Sequence, residues 1–199
     1  MSSITTDSSA PDALDRADME RLQAGEDAAL NDLMERHAAP VFRFLCRLTG
    51  NEDDANDLAQ ETFVRVFKSC KNFRSHEKFS TWLFTIAANL ARNHFRWRSR
   101  HPNVSMDAEN AETEMTLGST LPANAPTPNE SAVASERAAA VRAAVQKLPE
   151  DLREAIVLCE WEERSVAEAA VMIEATPKAV ESRLYRARQL LRERLKSWL

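Results

Sequence analysis

"SVAEAAVMIEATPKAVESRLYRARQLLRERL", residues Ser165–Leu195, is the stretch that decides the fold. Ser165 stands before an apolar run at helical spacing and is its N-cap, which gives a short helix over SVAEAAVMI. The three residues EAT then turn the chain. Thr176 caps a second helix that opens on Pro177, a position where the missing N–H has no intrahelical partner to lose. At about 100° per residue, Val180, Leu184, Ala187, Leu191 and Leu195 fall on one side. Lys178, Ser182, Tyr185, Arg186 and Gln189 fall opposite, with Arg183 and Arg188 on the shoulders. A short helix, a tight turn and a capped basic helix make the helix-turn-helix pattern, whose second helix enters the major groove of duplex nucleic acid. Donors gathered near its start suit guanine edges and phosphates.

The residues upstream extend this unit. Ala134, Ala138, Val141, Val145 and Leu148 mark one helix, and Pro149 sits at the first position of another, PEDLREAIVLCEWEE. Before them, HPNVSMDAENAETEMTLGSTLPANAPTPNES holds four prolines and no sustained apolar period, which reads as a flexible acidic linker. The chain therefore divides into an acidic tail expected to be disordered (residues 1–18), a helical domain (19–100), the linker (101–132) and the helix-turn-helix domain (133–199). The fold class is all-α: two small helical domains joined by a flexible linker.

In the first domain, Leu30, Leu33, Met34, His37, Val41, Phe44, Leu45 and Leu48 recur at helical spacing, and Pro40 either kinks this helix or restarts it. His37 reads as a half-buried packing residue. Asn51 caps the next helix, and Glu52, Asp53 and Asp54 suit the positive end of its dipole. Ala55, Leu58, Ala59, Thr62, Phe63, Val66, Phe67 and Cys70 form its core stripe, which leaves Asp57, Gln60, Glu61, Val64 and Arg65 on the other face. The third helix, FSTWLFTIAANLARNHFRWRSR (Phe79–Arg100), is capped by Ser80 or Thr81. Phe79, Trp82, Leu83, Ile86, Ala87, Leu90, His94 and Trp97 lie on one side, Asn89, Arg92, Asn93, Arg96 and Arg98 on the other, and Phe84 and Phe95 at the flanks. Arginines beside surplus rings suit unstacked nucleic acid, because guanidinium groups follow phosphate while rings and amides receive bases.

The formal net charge of the 199 residues is −5, yet that charge is segregated. From Arg65 to Arg100 there are nine basic residues against one acid, and from Lys178 to Lys196 seven against two. Two basic patches on helical faces, separated by acidic ground, point to two contacts with a polyanion. A run of apolar residues long enough to span a membrane is missing, as is the apolar core of a signal peptide, so no membrane insertion is expected. Cys46, Cys70 and Cys159 fit idle thiols in a reducing cytoplasm. The four histidines share no ligand spacing with them, no glycine loop cradles phosphate and no carboxylates converge. Neither metal, nor cofactor, nor catalysis is therefore expected. A stand-alone helix-turn-helix repressor or activator remains as an alternative, but it leaves the aromatic-basic helix and the acidic face without a use.

Taken in order, DLAQETFVRVFK, FSTWLFTIAANLARNHFR, the linker, LPEDLREAIVLCEWEERSVAEAA and VESRLYRARQLLRERL resemble an extracytoplasmic-function sigma factor, the branch of the sigma-70 family with only regions 2 and 4. The resemblance covers roughly residues 20–100 and 135–199. It implies a promoter-specificity subunit of RNA polymerase, acting in the cytoplasm with core polymerase and promoter DNA and controlled by an anti-sigma factor. By the same resemblance, Asn89, Arg92, Asn93 and Arg96 line the melted −10 strand. The loop Lys71–Lys78, with Asn72, Phe73, Arg74 and Lys78, receives a flipped base. Asp57, Gln60 and Glu61, with Val64 beside them, dock on the β′ clamp helices. Lys178, Ser182, Arg183, Tyr185 and Arg186 read the −35 duplex while their domain meets the β flap, and the linker threads toward the RNA exit path. The sequence departs from the family at Glu174, where glycine is usual in the turn, at Pro177-Lys178-Ala179, where a Gly-Thr pair is common, and at Glu181, where Lys or Arg is common. A carboxylate at 181 either accepts from a cytosine amino group or pairs with Arg188.

Overall fold

The computed structural model describes residues 9–101 and 128–198, with side chains from 12 and from 136 in each stretch. Every regular element among them is helical. In chain order they are α1 (Ser9–Gln23), α2 (Ala29–Thr49), α3 (Glu52–Ser69), α4 (Phe79–Arg100), α5 (Pro128–Gln146), α6 (Glu150–Ile156), α7 (Val166–Met172) and α8 (Pro177–Arg194). The linker assigned to residues 101–132 lies outside the described residues from 102 to 127, and α5 takes up its last five positions.

The tail corrects the sequence reading. Residues 1–8 lie outside the description, but from Ser9 the chain is helix, and α1 packs on α2. It does so through an apolar ridge of Met19 and Leu22 and through two buried carboxylates. Asp15, 1 % exposed, accepts from Arg36 at 2.9 Å and contacts His37 Nε2 at 2.8 Å. Asp18 bonds Arg36 and Arg21. An acid-rich segment reads as solvated because its carboxylates have no local partner. Here the partners that bury them, Arg36 and His37, lie 18 to 22 residues downstream, with only Arg21 local to Asp18.

α2 runs through Pro40 without interruption, and Gly50 ends it in the left-handed conformation (φ 71°), returning its N–H to Cys46 O. Asn51 then caps α3, accepting from the Asp54 N–H at 2.8 Å. The start of α3 is tied to the end of α4: Arg98 donates to Asp54 at 2.9 Å and His94 lies 3.3 Å from the same carboxylate. Neither Ser80 nor Thr81 caps α4. Lys78 holds the N-cap position without a side-chain capping bond.

In the second unit Pro149 is the N-cap of α6 rather than its first residue, and the helix continues as a π-helical turn over Val157–Trp161. Ser165 and Glu168 form a reciprocal capping box on α7. Thr176 caps α8 through the Ala179 N–H at 3.2 Å, with Pro177 just inside. Val180, Leu184 and Ala187 face inward as the periodicity predicts.

The two units touch. Arg153 donates to Leu48 O at 2.6 Å, Gln146 to Arg47 O at 2.8 Å, and Arg47 to Glu162 at 3.0 Å. α7 lies against α4, which explains a second correction. Phe84, expected at a flank, is 1 % exposed, with Ala88 and Ala91 buried below it and the Arg164 guanidinium over its ring at 4.8 Å. A one-stripe reading of α4 fails because this helix is covered on two sides. Trp97, expected inside, is half exposed and stacks on His101.

Candidate nucleic-acid and partner interfaces

Three surfaces carry the residues singled out by the sequence. The first is α4 with the loop before it. Lys71, Asn72, Arg74 and Lys78 are exposed. The loop is held from behind by Gln23, whose amide donates to Cys70 O at 2.8 Å and Phe73 O at 3.0 Å. Nothing in the sequence marks Gln23, since a long-range bond to a carbonyl leaves no periodic trace. Phe73 is only 6 % exposed, edge-on to Phe79 and tilted against Trp82, so its ring supports the loop rather than facing solvent. Asn93 and Arg96 are exposed, with Arg96 3.5 Å from Asn93. Asn89 and Arg92 are partly covered by the C-terminal unit. Arg92 donates to Ile173 O at 2.8 Å and bonds Asn89, and Asn89 donates to Glu174 at 3.1 Å.

The second surface is the outer face of α3. Asp57, Gln60 and Val64 are exposed, and Glu61, partly exposed, accepts from Arg65 at 2.9 Å. Phe67, placed in the core by periodicity, is 43 % exposed instead and adjoins Val64 at i+3. The patch is therefore an apolar pair rimmed by carboxylates and an amide.

The third is α8. Lys178, Ser182, Tyr185 and Arg186 are all exposed, Tyr185 at 64 %, while Arg183 is half-buried and leans toward Asp151 at 3.7 Å. Gln189 donates to the Tyr185 hydroxyl at 2.7 Å and steers the ring along the helix. Glu181 has no partner among the described residues. Arg188 is bound instead to Glu160, through Nη2 at 2.6 Å and Nε at 3.1 Å, which closes the pairing alternative left open by the sequence.

Burial pushes the Cys46 thiol up to about 11 and that of Cys159 upward as well, so both are poor nucleophiles at neutral pH. Among the described residues no group of His, Cys, Asp and Glu is placed to hold a metal ion. No helix there is long and apolar enough to cross a membrane.

The comparisons with known proteins agree with this layout. Residues 33–101 match the family model for Sigma-70 region 2, and residues 138–191 that for Sigma-70, region 4. The chain is 34 % identical over 182 residues to the ECF RNA polymerase sigma-E factor of Haemophilus influenzae, spanning 91 % of this chain and 95 % of that one. It is 31 % identical over 179 residues to the ECF RNA polymerase sigma factor SigW of Bacillus subtilis, spanning 89 % and 95 %. Among solved structures, CnrH in complex with the cytosolic domain of CnrY superposes with a TM-score of 0.66 at 26 % identity, over 92 % of this chain and 98 % of that one. The sigma factor RpoE of Bartonella quintana, solved with the anti-sigma factor NepR, gives 0.63 at 25 %, over 83 % and 96 %.

Proposed function

The chain belongs to the sigma-70 family of transcription initiation factors, in its extracytoplasmic-function branch, and from that premise we propose that it directs core RNA polymerase to promoters without catalysing a reaction itself. Its site of action is the cytoplasm. The unit of about residues 19–100 captures the melted −10 strand through Lys71, Asn72, Arg74, Lys78, Asn89, Arg92, Asn93 and Arg96, with Phe73 bracing the loop. The unit of about 133–199 grips −35 duplex through Lys178, Ser182, Arg183, Tyr185 and Arg186 and meets the β flap. Asp57, Gln60, Glu61 and Val64, joined by Phe67, form the surface for the β′ clamp helices. An anti-sigma factor holds the free protein inactive, a reading supported by the anti-sigma factor NepR bound to the Bartonella quintana relative.

One observation supports this reading: a single chain carries two basic helix faces of different chemistry. On α4 the exposed Asn93 and Arg96, with the partly covered Asn89 and Arg92, adjoin a braced loop, which suits bases pulled from the stack. On α8 a capped helix exposes donors at its start, which suits groove edges. Transcription in vitro with core polymerase on promoter fragments, with start sites mapped, tests it. Asn89→Ala or Arg92→Ala is expected to slow strand opening about tenfold while closed-complex binding changes little. Arg186→Ala is expected to weaken −35 binding by about 1–3 kcal/mol. Equal losses at every step for all three variants would contradict the assignment.

Glu181 supplies a further expectation. An unpaired carboxylate on a duplex-facing helix repels phosphate, and it is compensated only where a base offers an amino donor, such as cytosine N4. Selection from a library randomised across the −35 element should show that Glu181→Ala binds more tightly overall and loses a cytosine preference at one position. An unchanged base profile would reduce Glu181 to simple repulsion.

A further inference from the structure

The turn between α7 and α8 contains a strained residue where a glycine would not be strained. Glu174 has φ 53°, in the left-handed region that side-chain-bearing residues rarely occupy. Its carboxylate reaches across to α4, accepting from Asn89 at 3.1 Å and lying 3.8 Å from Arg92 Nη2. Around it the C-terminal unit makes further contacts with the same face. Ile173 O takes the Arg92 guanidinium at 2.8 Å, Glu154 lies 3.6 Å from Arg92 Nε, and Glu168 sits 3.3 Å from Lys78. Three side chains assigned to the melted strand are thus occupied by carboxylates and a carbonyl oxygen, the same acceptor chemistry that phosphates and bases present.

We propose that Glu174 is an internal stand-in for single-stranded DNA: it seats the α7–α8 turn on Asn89 and Arg92, so that α4 admits a strand only after the two units separate. This rests on the reading of α4 as the strand-binding helix. The geometry fits a displaceable clasp rather than a permanent joint. Glu174 is 67 % exposed in its side chain, so its pair with Arg92 is screened and individually weak, and a polyanion competes for the same donors. Because closure and strand binding exclude each other, they are linked. Whatever weakens the clasp strengthens strand binding, up to the factor by which closure had reduced it, and strand binding opens the clasp.

The test uses the full chain, with and without core polymerase. The probe is a short fluorescent single-stranded oligonucleotide of −10-like sequence, followed by anisotropy. Glu174→Gly removes the carboxylate and the strain, and Glu174→Lys keeps the strained backbone but repels Arg92. Glu163→Gly is the matched control, since Glu163 is also exposed and left-handed (φ 51°) but has no partner on α4. Without polymerase, both Glu174 variants are expected to bind the probe about two- to fivefold more tightly than the parent chain, the range set by a solvent-exposed contact, while Glu163→Gly leaves binding unchanged. Assembled with core polymerase, all four proteins should open promoter DNA equally, since the clasp is already released there. If the Glu174 variants bind the probe no better than the parent, or if Glu163→Gly gains as much, the clasp is overturned while the promoter function stands. If no holoenzyme opens promoter DNA, the strand-binding assignment fails and takes the clasp with it.

Discussion

Asp15→Ala is expected to lower the unfolding free energy by about 3 kcal/mol, the cost of breaking a buried ion pair and leaving its partners uncompensated. Asp15 is buried between α1 and α2, where Arg36 and His37 both bond it. Burial alone would push its carboxyl up, but the bonds from His37 and Arg36 outweigh it and hold the carboxyl below the ordinary carboxylate range. The sign follows from that depression. The folded chain binds this proton less readily than the unfolded one, so the stabilisation is present above the unfolded value near 4 and is lost as pH falls through the folded one. Urea unfolding of the parent and variant at pH 7 and at pH 3 checks both halves, with a gap at neutrality that narrows in acid. A gap of the same size at both pH values would mean that Asp15 acts through packing alone.

Glu154→Gln is expected to act in the opposite direction. Glu154 is buried in α6, and one of its oxygens has no hydrogen-bond partner. Burial pushes its carboxyl up to about 7, against the opposing pull of Arg92 and Arg183. The folded state therefore holds this proton more tightly than the unfolded chain. The contribution to stability is fully present below the unfolded value and is lost as pH rises through about 7. At pH 8 glutamine keeps the shape without the buried charge, and the variant should be more stable than the parent by about 2–3 kcal/mol. At pH 5, where the parent is protonated, the difference should vanish. Thermal or urea unfolding at the two pH values reads it. A variant less stable at pH 8 would show that the attraction of Arg92 exceeds the cost of burial.

These two carboxylates also mark the limits of sequence reading. Helices whose signals are local were legible: the caps at Asn51, Ser165 and Thr176, and the inward row Val180, Leu184 and Ala187. So was the exposure of the basic residues on α8, because periodicity places them relative to a core on one side. What failed was set by distant chain. α1 was read as tail because the partners of Asp15 lie in α2. Phe84 was placed at a flank, and Phe67 inside, because period alone does not tell how many neighbours a helix has. Gln23 and the contacts of Asn89 and Arg92 depend on residues 47 to 85 positions away, a separation no local pattern records.

That separation also sets an order of events on the ribosome. Ile173 and Glu174 follow Arg92 and Asn89 by 81 and 85 residues, so at about 5–20 residues per second their synthesis lags by roughly 4–17 s. Throughout that interval Lys78, Asn89 and Arg92 lack the acceptors that the second unit later supplies, and the basic face of α4 is open to polyanions around the translating complex. A partner that bound co-translationally would meet these side chains in a form that the finished protein covers.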